Sequence, residues 1–330
     1  MERPRKALDG GRGGTRHPDV RMRGGKMIGE PGAMRPNGVS HYLRVRGVRL
    51  HVRVLGSLVA PRVFILHGWL DASASFVPFA QALREQAGGN LCVIIPDQRG
   101  FGYSQPAPQD YWFPDYVADL AAIAAHWGGM EAFSIVGHSM GAQVASLYAG
   151  LQPQRVRRLV VMDGLGVPDM PVADAPRRYA DWLQALSKPP INGDFPDFVA
   201  LAARIQRHHP RLDDEQAGLL ARSWGVRDAS GRVRLLADAR HRMDSPLLYR
   251  SGEAENIWRQ VTAPTLILLA GESPLRTWIG AAELERRQAC FAQRQVVTLA
   301  GVGHMMHIET PQRSADAVTN FLLEPVPACN

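Results

Sequence analysis

A serine at the centre of Gly137-His138-Ser139-Met140-Gly141 is the residue in this sequence best suited to nucleophilic chemistry. The motif follows the apolar run Phe133–Val136 and precedes a helical stretch, and G-x-S-x-G in that setting predicts a nucleophile elbow. The glycines leave room for the crowded backbone of such a turn. The turn presents the Ser139 hydroxyl above a helix N-terminus, where developing negative charge is favoured. A glycine-rich turn without chemistry is the alternative.

A second element of the predicted site is the loop His67-Gly68-Trp69-Leu70-Asp71, which follows the apolar run Val63–Leu66. Acyl transfer needs backbone N–H groups that point at the developing oxyanion. We expect the N–H of Met140, directly after the nucleophile, and the N–H of Trp69 to form this oxyanion hole. His67 is expected to be a structural loop residue rather than a base.

The candidate general base is His304, in Gly301-Val302-Gly303-His304-Met305-Met306-His307 after the last predicted strand. A loop at the carboxyl end of that strand can reach the elbow, where His304 would take the Ser139 proton and return it to the leaving group. His307 is expected to support the site from behind or to lie on the surface. The other histidines, including the pair His208-His209, have no carboxylate or cysteine neighbours at metal-ligand spacing, so no metal site is predicted.

The elements that must position these residues alternate along the chain. Alternating strands and helices of this length predict a mostly parallel, doubly wound α/β sheet. The predicted strands are Val48–Leu55, Val63–Leu66, Leu91–Pro96, Phe133–Val136, Val156–Met162, Thr265–Ala270 and Gln295–Leu299. The predicted helices lie near Ser75–Gln86, Tyr116–Trp127, Ser139–Leu151, Ala281–Gln293 and Pro311–Leu323.

An insertion of about 90 residues separates the two blocks of strands and helices. Residues 167–259 are rich in Arg, Trp and Leu at helical spacing and show no clear strand. A helical insertion there would cover the carboxyl ends of the strands, where such sheets bind ligands. We therefore predict a core formed by residues 39–166 and 260–330, with a helical cap at 167–259.

The order of these motifs resembles that of the α/β-hydrolase superfamily over residues 42–323. A closer similarity is to the branch called serine hydrolase-like proteins, whose substrates the resemblance does not define. The resemblance rests on His67-Gly68-Trp69-Leu70-Asp71-Ala72, Asp97-Gln98-Arg99-Gly100-Phe101-Gly102 with Ser104, Gly137–Gly141, Val161–Gly166, Arg234–Asp238, Leu248-Tyr249-Arg250 and the late Gly303-His304 with His307.

The acid of a Ser-His-acid triad is the point at which this sequence departs from the family pattern. The resemblance places an aspartate at the position that Pro274 occupies here, and proline cannot orient an imidazole. Two carboxylates remain as candidates. Asp163 directly follows the strand after the elbow, a position that some members of the superfamily use, and Glu272 lies on the usual loop. We favour Asp163, with Glu272 as the first alternative and a site without an acid as the second. The structural interpretation of Asp163 is a turn residue at a strand end.

The charge of the chain is concentrated in an N-terminal tail. The formal net charge is +7, but residues 1–37 hold nine Lys and Arg against four Asp and Glu, so the remainder is nearly balanced. Residues 1–38 are rich in Gly and Arg and poor in apolar residues, which predicts a disordered tail. A nucleic-acid partner is not expected, because the rest of the chain lacks the basic excess that such binding needs.

The apolar runs and the cysteines suggest a compartment. No apolar run approaches the ~20 residues of a membrane span, so no membrane partner is expected. The cysteines Cys92, Cys290 and Cys329 form no C-x-x-C motif and cannot all pair, which favours the reducing cytoplasm. Oligomeric state is left open.

A serine nucleophile limits the predicted reaction. An elbow aspartate, as in dehalogenases and epoxide hydrolases that this fold resembles, would form an alkyl ester, whereas Ser139 favours acyl chemistry on a carboxylic ester or related small molecule. No cofactor is required. Trp69, Tyr179 and Trp182 are candidate substrate contacts, and Trp224 could line the same apolar pocket, although helical Tyr and Trp are more often part of a cap's own core. A catalytically weak ligand-binding protein of the same fold is the alternative function.

Overall fold

The computed structural model describes residues 38–324. The predicted tail therefore lies almost wholly outside the described residues, as does Cys329. The strands are β1 (Val39–Val45), β2 (Val48–Leu55), β3 (Arg62–Leu66), β4 (Cys92–Pro96), β5 (Phe133–His138), β6 (Val156–Met162), β7 (Asp194–Phe195), β8 (Gly225–Arg227), β9 (Val233–Leu235), β10 (Thr265–Ala270) and β11 (Arg294–Leu299). The helices are α1 (Val77–Gln86), α2 (Phe113–Trp127), α3 (Met140–Leu151), α4 (Ala175–Ser187), α5 (Phe198–His208), α6 (Asp214–Trp224), α7 (Ser251–Trp258), α8 (Leu275–Ile279), α9 (Ala281–Gln288), α10 (Met306–Glu309) and α11 (Pro311–Leu323).

Eight strands form the central sheet, in the order β1-β2-β4-β3-β5-β6-β10-β11. The pairs β1–β2 and β2–β4 are antiparallel, and every other neighbouring pair is parallel. The central strands are near-continuous apolar runs because helices cover both faces of the sheet. The structure thus confirms the predicted mostly parallel α/β sheet.

Two apolar layers hold the sheet in place. One contains Phe64, Ile135 and Val161 with the buried residues of α2 and α3. The other contains Ile65 and Val136 with the buried residues of α1 and α11. Because successive strand residues point to opposite faces, adjacent residues of one strand serve different layers. The carboxyl ends of β3, β5, β6 and β10 are thereby fixed at one edge of the sheet.

The segment between β6 and β10 contains α4 to α7 and a small antiparallel sheet in the order β7-β9-β8. The sequence of this segment predicts helices and no clear strand, so the small sheet is an addition to the prediction. Its strands have two or three residues, too few to show an alternating pattern. A separate apolar cluster joins Leu201, Leu220 and Val233 within the segment to Met305 and Ile308 of the core.

No helix within residues 38–324 combines the length and apolar character needed to cross a membrane.

Candidate active site

Ser139 lies in the sharp turn between β5 and α3, with φ +53° and ψ −118°. This conformation is one that side-chain-bearing residues rarely adopt, and such strain persists only where the surroundings enforce it. The neighbouring glycines show the enforcement. A Cβ on Gly137 would collide with the carbonyl oxygen of Gly141, and a Cβ on Gly141 would collide with that of Leu66. The structure therefore has the strand–turn–helix geometry of a nucleophile elbow.

The loop after β3 passes close to the elbow at Gly68. A Cβ on Gly68 would lie 3.2 Å from Ser139 Cβ and 3.6 Å from Ser139 Oγ. The backbone N–H groups of Trp69 and Met140 donate to no acceptor among residues 38–324. Two adjacent loops thus leave two backbone donors available next to the serine, as an oxyanion hole requires.

Asp163 holds the ring of His304. Asp163 Oδ2 lies 2.6 Å from His304 Nδ1, and Asp163 Oδ1 accepts a hydrogen bond from the N–H of Ala270 at 3.2 Å. The aspartate is 1% exposed and has φ +46°, while the imidazole of His304 is one-third exposed. The backbone N–H of Asp163 also donates to the carbonyl of Leu268 at 2.9 Å. Main-chain contacts with β10 thus fix the carboxylate that orients the imidazole.

The alternative acid lies elsewhere. Glu272 is exposed, and its carboxylate forms no hydrogen bond or ion pair within residues 38–324. Its backbone N–H donates to the carbonyl of Val302 at 2.9 Å. This bond joins the loop after β10 to the loop after β11 that contains His304, which we call the base loop, but it does not involve the carboxylate of Glu272. Pro274 precedes the first turn of α8.

Ser139 and His304 are brought to the same edge of the sheet, but the Ser139 hydroxyl forms no hydrogen bond with His304 in this structure. Catalytic hydrogen bonds are often long before substrate binds and tighten in the complex. The pairing that the structure does contain is the one between His304 and Asp163.

His67 is held in one tautomer by two main-chain groups. Its Nδ1–H donates to the carbonyl of Gly68 at 2.8 Å, and its Nε2 accepts from the N–H of Gln98 at 2.9 Å. The ring is fully buried. Both nitrogens are engaged in loop structure, so neither is available to take a proton from Ser139.

His307 is completely buried. Of the two positions expected from the sequence, one supporting the site and one on the surface, the surface position is therefore excluded. His307 Nε2 lies 3.2 Å from Asp71 Oδ2, and its ring stacks on Phe76 with centroids 3.9 Å apart and an interplanar angle of 3°. Burial alone would raise the pKa of Asp71, but the hydrogen bond and charge of His307 hold that pKa well below its usual value. Sequence reasoning did not identify Asp71 as a partner, because the two residues come from loops at opposite ends of the chain.

His138, directly before the nucleophile, contacts the base loop from behind. Its Nε2–H donates to the backbone carbonyl of His304 at 2.8 Å, and the two rings have centroids 4.7 Å apart. Burial, reinforced by the nearby His304 and His307, lowers the pKa of His138 well below its usual value. This side chain is therefore a neutral hydrogen-bond donor between the elbow and the base loop.

The predicted substrate contacts are distributed between the core and the inserted segment. Trp69 is 51% exposed, and its indole N–H donates to the carbonyl of His241 at 3.2 Å. Tyr179 is 48% exposed on α4, and the indole of Trp182 donates to Asp110 at 3.2 Å. Within residues 38–324, no hydrogen bond joins any of these side chains to Ser139.

Trp224 connects the insertion to the loop after β3. Its indole N–H donates to Asp71 Oδ1 at 2.7 Å. The same oxygen accepts the N–H of Ala72 at 2.8 Å.

A family model described as the α/β hydrolase fold matches residues 61–311. The chain belongs to this family. The matched region contains the elbow, the loop after β3, Asp163 and His304.

Curated relatives include several hydrolases. The 2-(acetamidomethylene)succinate hydrolase of Mesorhizobium japonicum is 27% identical over 86% of this chain and 95% of the relative. The serine hydrolase-like protein of Danio rerio is 25% identical over 79% of this chain and 81% of the relative. The sn-1-specific diacylglycerol lipase ABHD11 of Mus musculus is 27% identical over 81% of this chain and 82% of the relative. The predicted similarity to the superfamily and to serine hydrolase-like proteins is thereby confirmed, and the chain is a hydrolase of this family.

Among solved structures, the thioesterase domain from the curacin biosynthetic pathway aligns with a TM-score of 0.75 and 24% identity. The alignment covers 87% of this chain and 99% of that domain. At this identity the similarity shows the fold alone.

Proposed function

We propose that this protein is a serine hydrolase that cleaves carboxylic esters or related acyl substrates through an acyl-enzyme. The observation that carries the proposal is the 2.6 Å pairing of His304 Nδ1 with Asp163 Oδ2 beside the strained turn of Ser139. An acceptor at Nδ1 keeps the proton on that nitrogen, so Nε2 of the neutral ring has the lone pair that a general base needs.

In the proposed reaction, Ser139 Oγ attacks the acyl carbon while its proton moves to His304 Nε2. Asp163 stabilises the resulting imidazolium, and the backbone N–H groups of Met140 and Trp69 donate to the oxyanion of the tetrahedral intermediate. Collapse of that intermediate breaks the bond to the leaving group, which takes the proton from His304. Water then attacks the acyl-enzyme by the same sequence and releases the acid and free Ser139.

Acyl chemistry is favoured by the type of nucleophile. A serine ester of a carboxylic acid is hydrolysed by the same base that formed it, whereas alkyl transfer to serine would leave a stable ether. Two relatives are named as a 2-(acetamidomethylene)succinate hydrolase and an sn-1-specific diacylglycerol lipase, and the compounds in both names contain acyl groups. Which acyl group this chain accepts follows from its own cap, and a series of p-nitrophenyl esters of increasing chain length measures it.

We place the protein in the cytoplasm as part of the same proposal. Cys92 and Cys290 are both buried and unpaired within the described residues. Burial raises the pKa of the Cys92 thiol to about 11, which keeps it protonated and unreactive. Buried thiols of this kind fit a reducing compartment, and an in-cell fractionation of the tagged protein tests it.

The decisive experiment is labelling with a fluorophosphonate, which reacts with an activated serine. Wild-type protein should be labelled at one site, identified as Ser139 by mass spectrometry of the tryptic peptides. Ser139→Ala should abolish both labelling and ester hydrolysis, and Ser187→Ala, which changes an exposed serine on α4, should alter neither. A wild-type protein that folds, is not labelled and hydrolyses no ester would replace the proposal with a ligand-binding function on the same fold.

A further inference from the structure

Three buried side chains meet behind the proposed triad and are not used by its mechanism. Asp71 follows β3, His138 ends β5, and His307 lies in α10; they are 3%, 1% and 0% exposed. One nitrogen or oxygen atom from each lies within 4.8 Å of those from the other two. Two imidazoles and a carboxylate are a donor set that Zn²⁺ binds in proteins.

The closest pair already has the spacing of two zinc ligands. Zinc–nitrogen and zinc–oxygen distances of about 2.0–2.2 Å and a tetrahedral angle place two donors about 3.4 Å apart. His307 Nε2 and Asp71 Oδ2 are 3.2 Å apart. The donor atom of His138 lies within 4.8 Å of the other two, so the three side chains face one common point.

The hydrogen bonds around the cluster match those that usually surround metal ligands. A metal-binding histidine commonly donates its other ring N–H to a carboxylate or backbone carbonyl, which fixes the tautomer. His138 does this through Nε2–H and the carbonyl of His304, so its Nδ1 has the lone pair. Asp71 is similarly fixed, because its Oδ1 accepts from Trp224 and Ala72 and leaves Oδ2 available.

Two imidazole nitrogens of the cluster have no protein partner. His138 Nδ1 and His307 Nδ1 are buried and form no hydrogen bond within residues 38–324, whereas Asp71 Oδ2 and His307 Nε2 contact each other at 3.2 Å. Native proteins rarely leave buried polar atoms unpaired, and a bound ion is one of the usual reasons. The stacking of His307 on Phe76 fixes the plane of the ring, so a ligand meets a preformed donor.

We propose that Asp71, His138 and His307 form a binding site for one Zn²⁺ ion. The fourth position of the tetrahedron is taken by water. Because the three ligands belong to the loop after β3, the elbow and the base loop, the ion ties together the three segments that form the proposed active site.

The binding test does not depend on enzymatic activity. Untagged full-length protein is titrated with ZnCl₂ by isothermal calorimetry, and its Tm is followed with and without the metal. We expect one Zn²⁺ per chain and a higher Tm, because a ligand that binds only the folded state stabilises it. Asp71→Asn and His307→Gln should each weaken binding by more than about 100-fold. Trp224→Phe, which removes only a donor to Asp71, should weaken it by about 10-fold, as loss of a supporting hydrogen bond does at other metal sites.

Two controls separate this site from other histidines. His304→Gln removes the proposed catalytic imidazole but leaves its backbone carbonyl, so zinc binding should persist. The double variant His208→Gln/His209→Gln, which changes the last residue of α5 and the residue after it, should also leave zinc binding intact. Loss of binding in either control, with retention in Asp71→Asn, would place the ion at another site and overturn the proposal.

A measurement on the unmodified protein covers the case in which a variant fails to fold. X-ray absorption at the zinc edge of loaded wild-type and His304→Gln protein should show two imidazole ligands in both. Zinc that does not bind, or that binds with fewer than two imidazoles, would mean that the cluster is an Asp71–His307 ion pair and no metal site.

Discussion

The carboxylate of Asp163 and the imidazole of His304 are paired at 2.6 Å although 141 residues separate them in the chain. The pairing follows from sheet order. β6, which Asp163 follows, lies between β5, which leads to Ser139, and β10. Hydrogen bonds to the main chain of β10 hold the aspartate at the edge where the base loop returns after β11. The proposed nucleophile and acid thus follow the neighbouring strands β5 and β6, and the loop with the proposed base follows β11, which only β10 separates from β6.

Asp163→Asn should therefore lower kcat for ester hydrolysis by about 10⁴, because an amide cannot hold the required tautomer of His304 or stabilise the imidazolium. Glu272→Gln should change kcat by less than a factor of about three, since an exposed carboxylate that forms no hydrogen bond with the imidazole of His304 is screened by solvent. Steady-state kinetics on one p-nitrophenyl ester compares the two variants. A larger loss in Glu272→Gln than in Asp163→Asn would reverse the assignment.

Most of the sheet is predictable because its central strands are short apolar runs bounded by turn residues. The predicted bounds of Val48–Leu55, Val156–Met162 and Thr265–Ala270 coincide with β2, β6 and β10. The first strand, Val39–Val45, escapes prediction because it lies at the edge and most of its residues are exposed. α8 escapes because five residues give no periodicity.

The residues of the candidate site also differ in whether the sequence alone can predict them. Ser139, Trp69 and Met140 are identifiable because a local motif surrounds them, and His304 because glycines precede it. The choice between Asp163 and Glu272 depends on which strand ends are neighbours, and a sequence leaves that open. The cluster of Asp71, His138 and His307 cannot be predicted for the same reason, since its three residues lie on segments far apart in the chain.

Gly68→Ala should reduce kcat by about 10²–10³, the cost of losing an oxyanion donor. The added methyl would lie 3.2 Å from Ser139 Cβ, and the loop must shift to relieve this contact, carrying the N–H of Trp69 with it. Gly252→Ala is the matched control, because a methyl there meets no atom within 4 Å. Equal kcat values for Gly68→Ala and Gly252→Ala would show that the loop after β3 does not hold the oxyanion.

Stability should decrease as pH falls from about 6.5 to about 4, in part through His241. Burial lowers the pKa of this histidine from 6.5 to about 4 in the folded protein, against the weaker opposing effect of Asp238. Between these values the unfolded chain binds a proton that the folded chain does not, so the free energy of unfolding falls by about 1.4 kcal/mol per pH unit for this group.

Urea unfolding at several pH values measures the slope. His241→Phe retains a ring for stacking on Phe101, at 3.7 Å between centroids in the wild type, and should flatten the slope by the contribution of one histidine. His208→Gln, at an exposed position, should retain it. An unchanged slope in His241→Phe would exclude His241 as a source of the acid sensitivity.

Ser139→Gly should unfold at a higher urea concentration than Ser139→Ala, although neither hydrolyses esters. Ala retains the Cβ and therefore the strain of φ +53° and ψ −118°, which costs of order 1–3 kcal/mol for a residue with a side chain. Gly adopts this conformation without strain, but it gives the unfolded chain more conformational freedom, which lowers the free energy of unfolding by about 0.4–1 kcal/mol. The net expectation is a free energy of unfolding about 1 kcal/mol higher for Ser139→Gly than for Ser139→Ala. A lower midpoint for Ser139→Gly than for Ser139→Ala would show that the turn stores no such strain, and that the serine is held there without the cost that a nucleophile elbow implies.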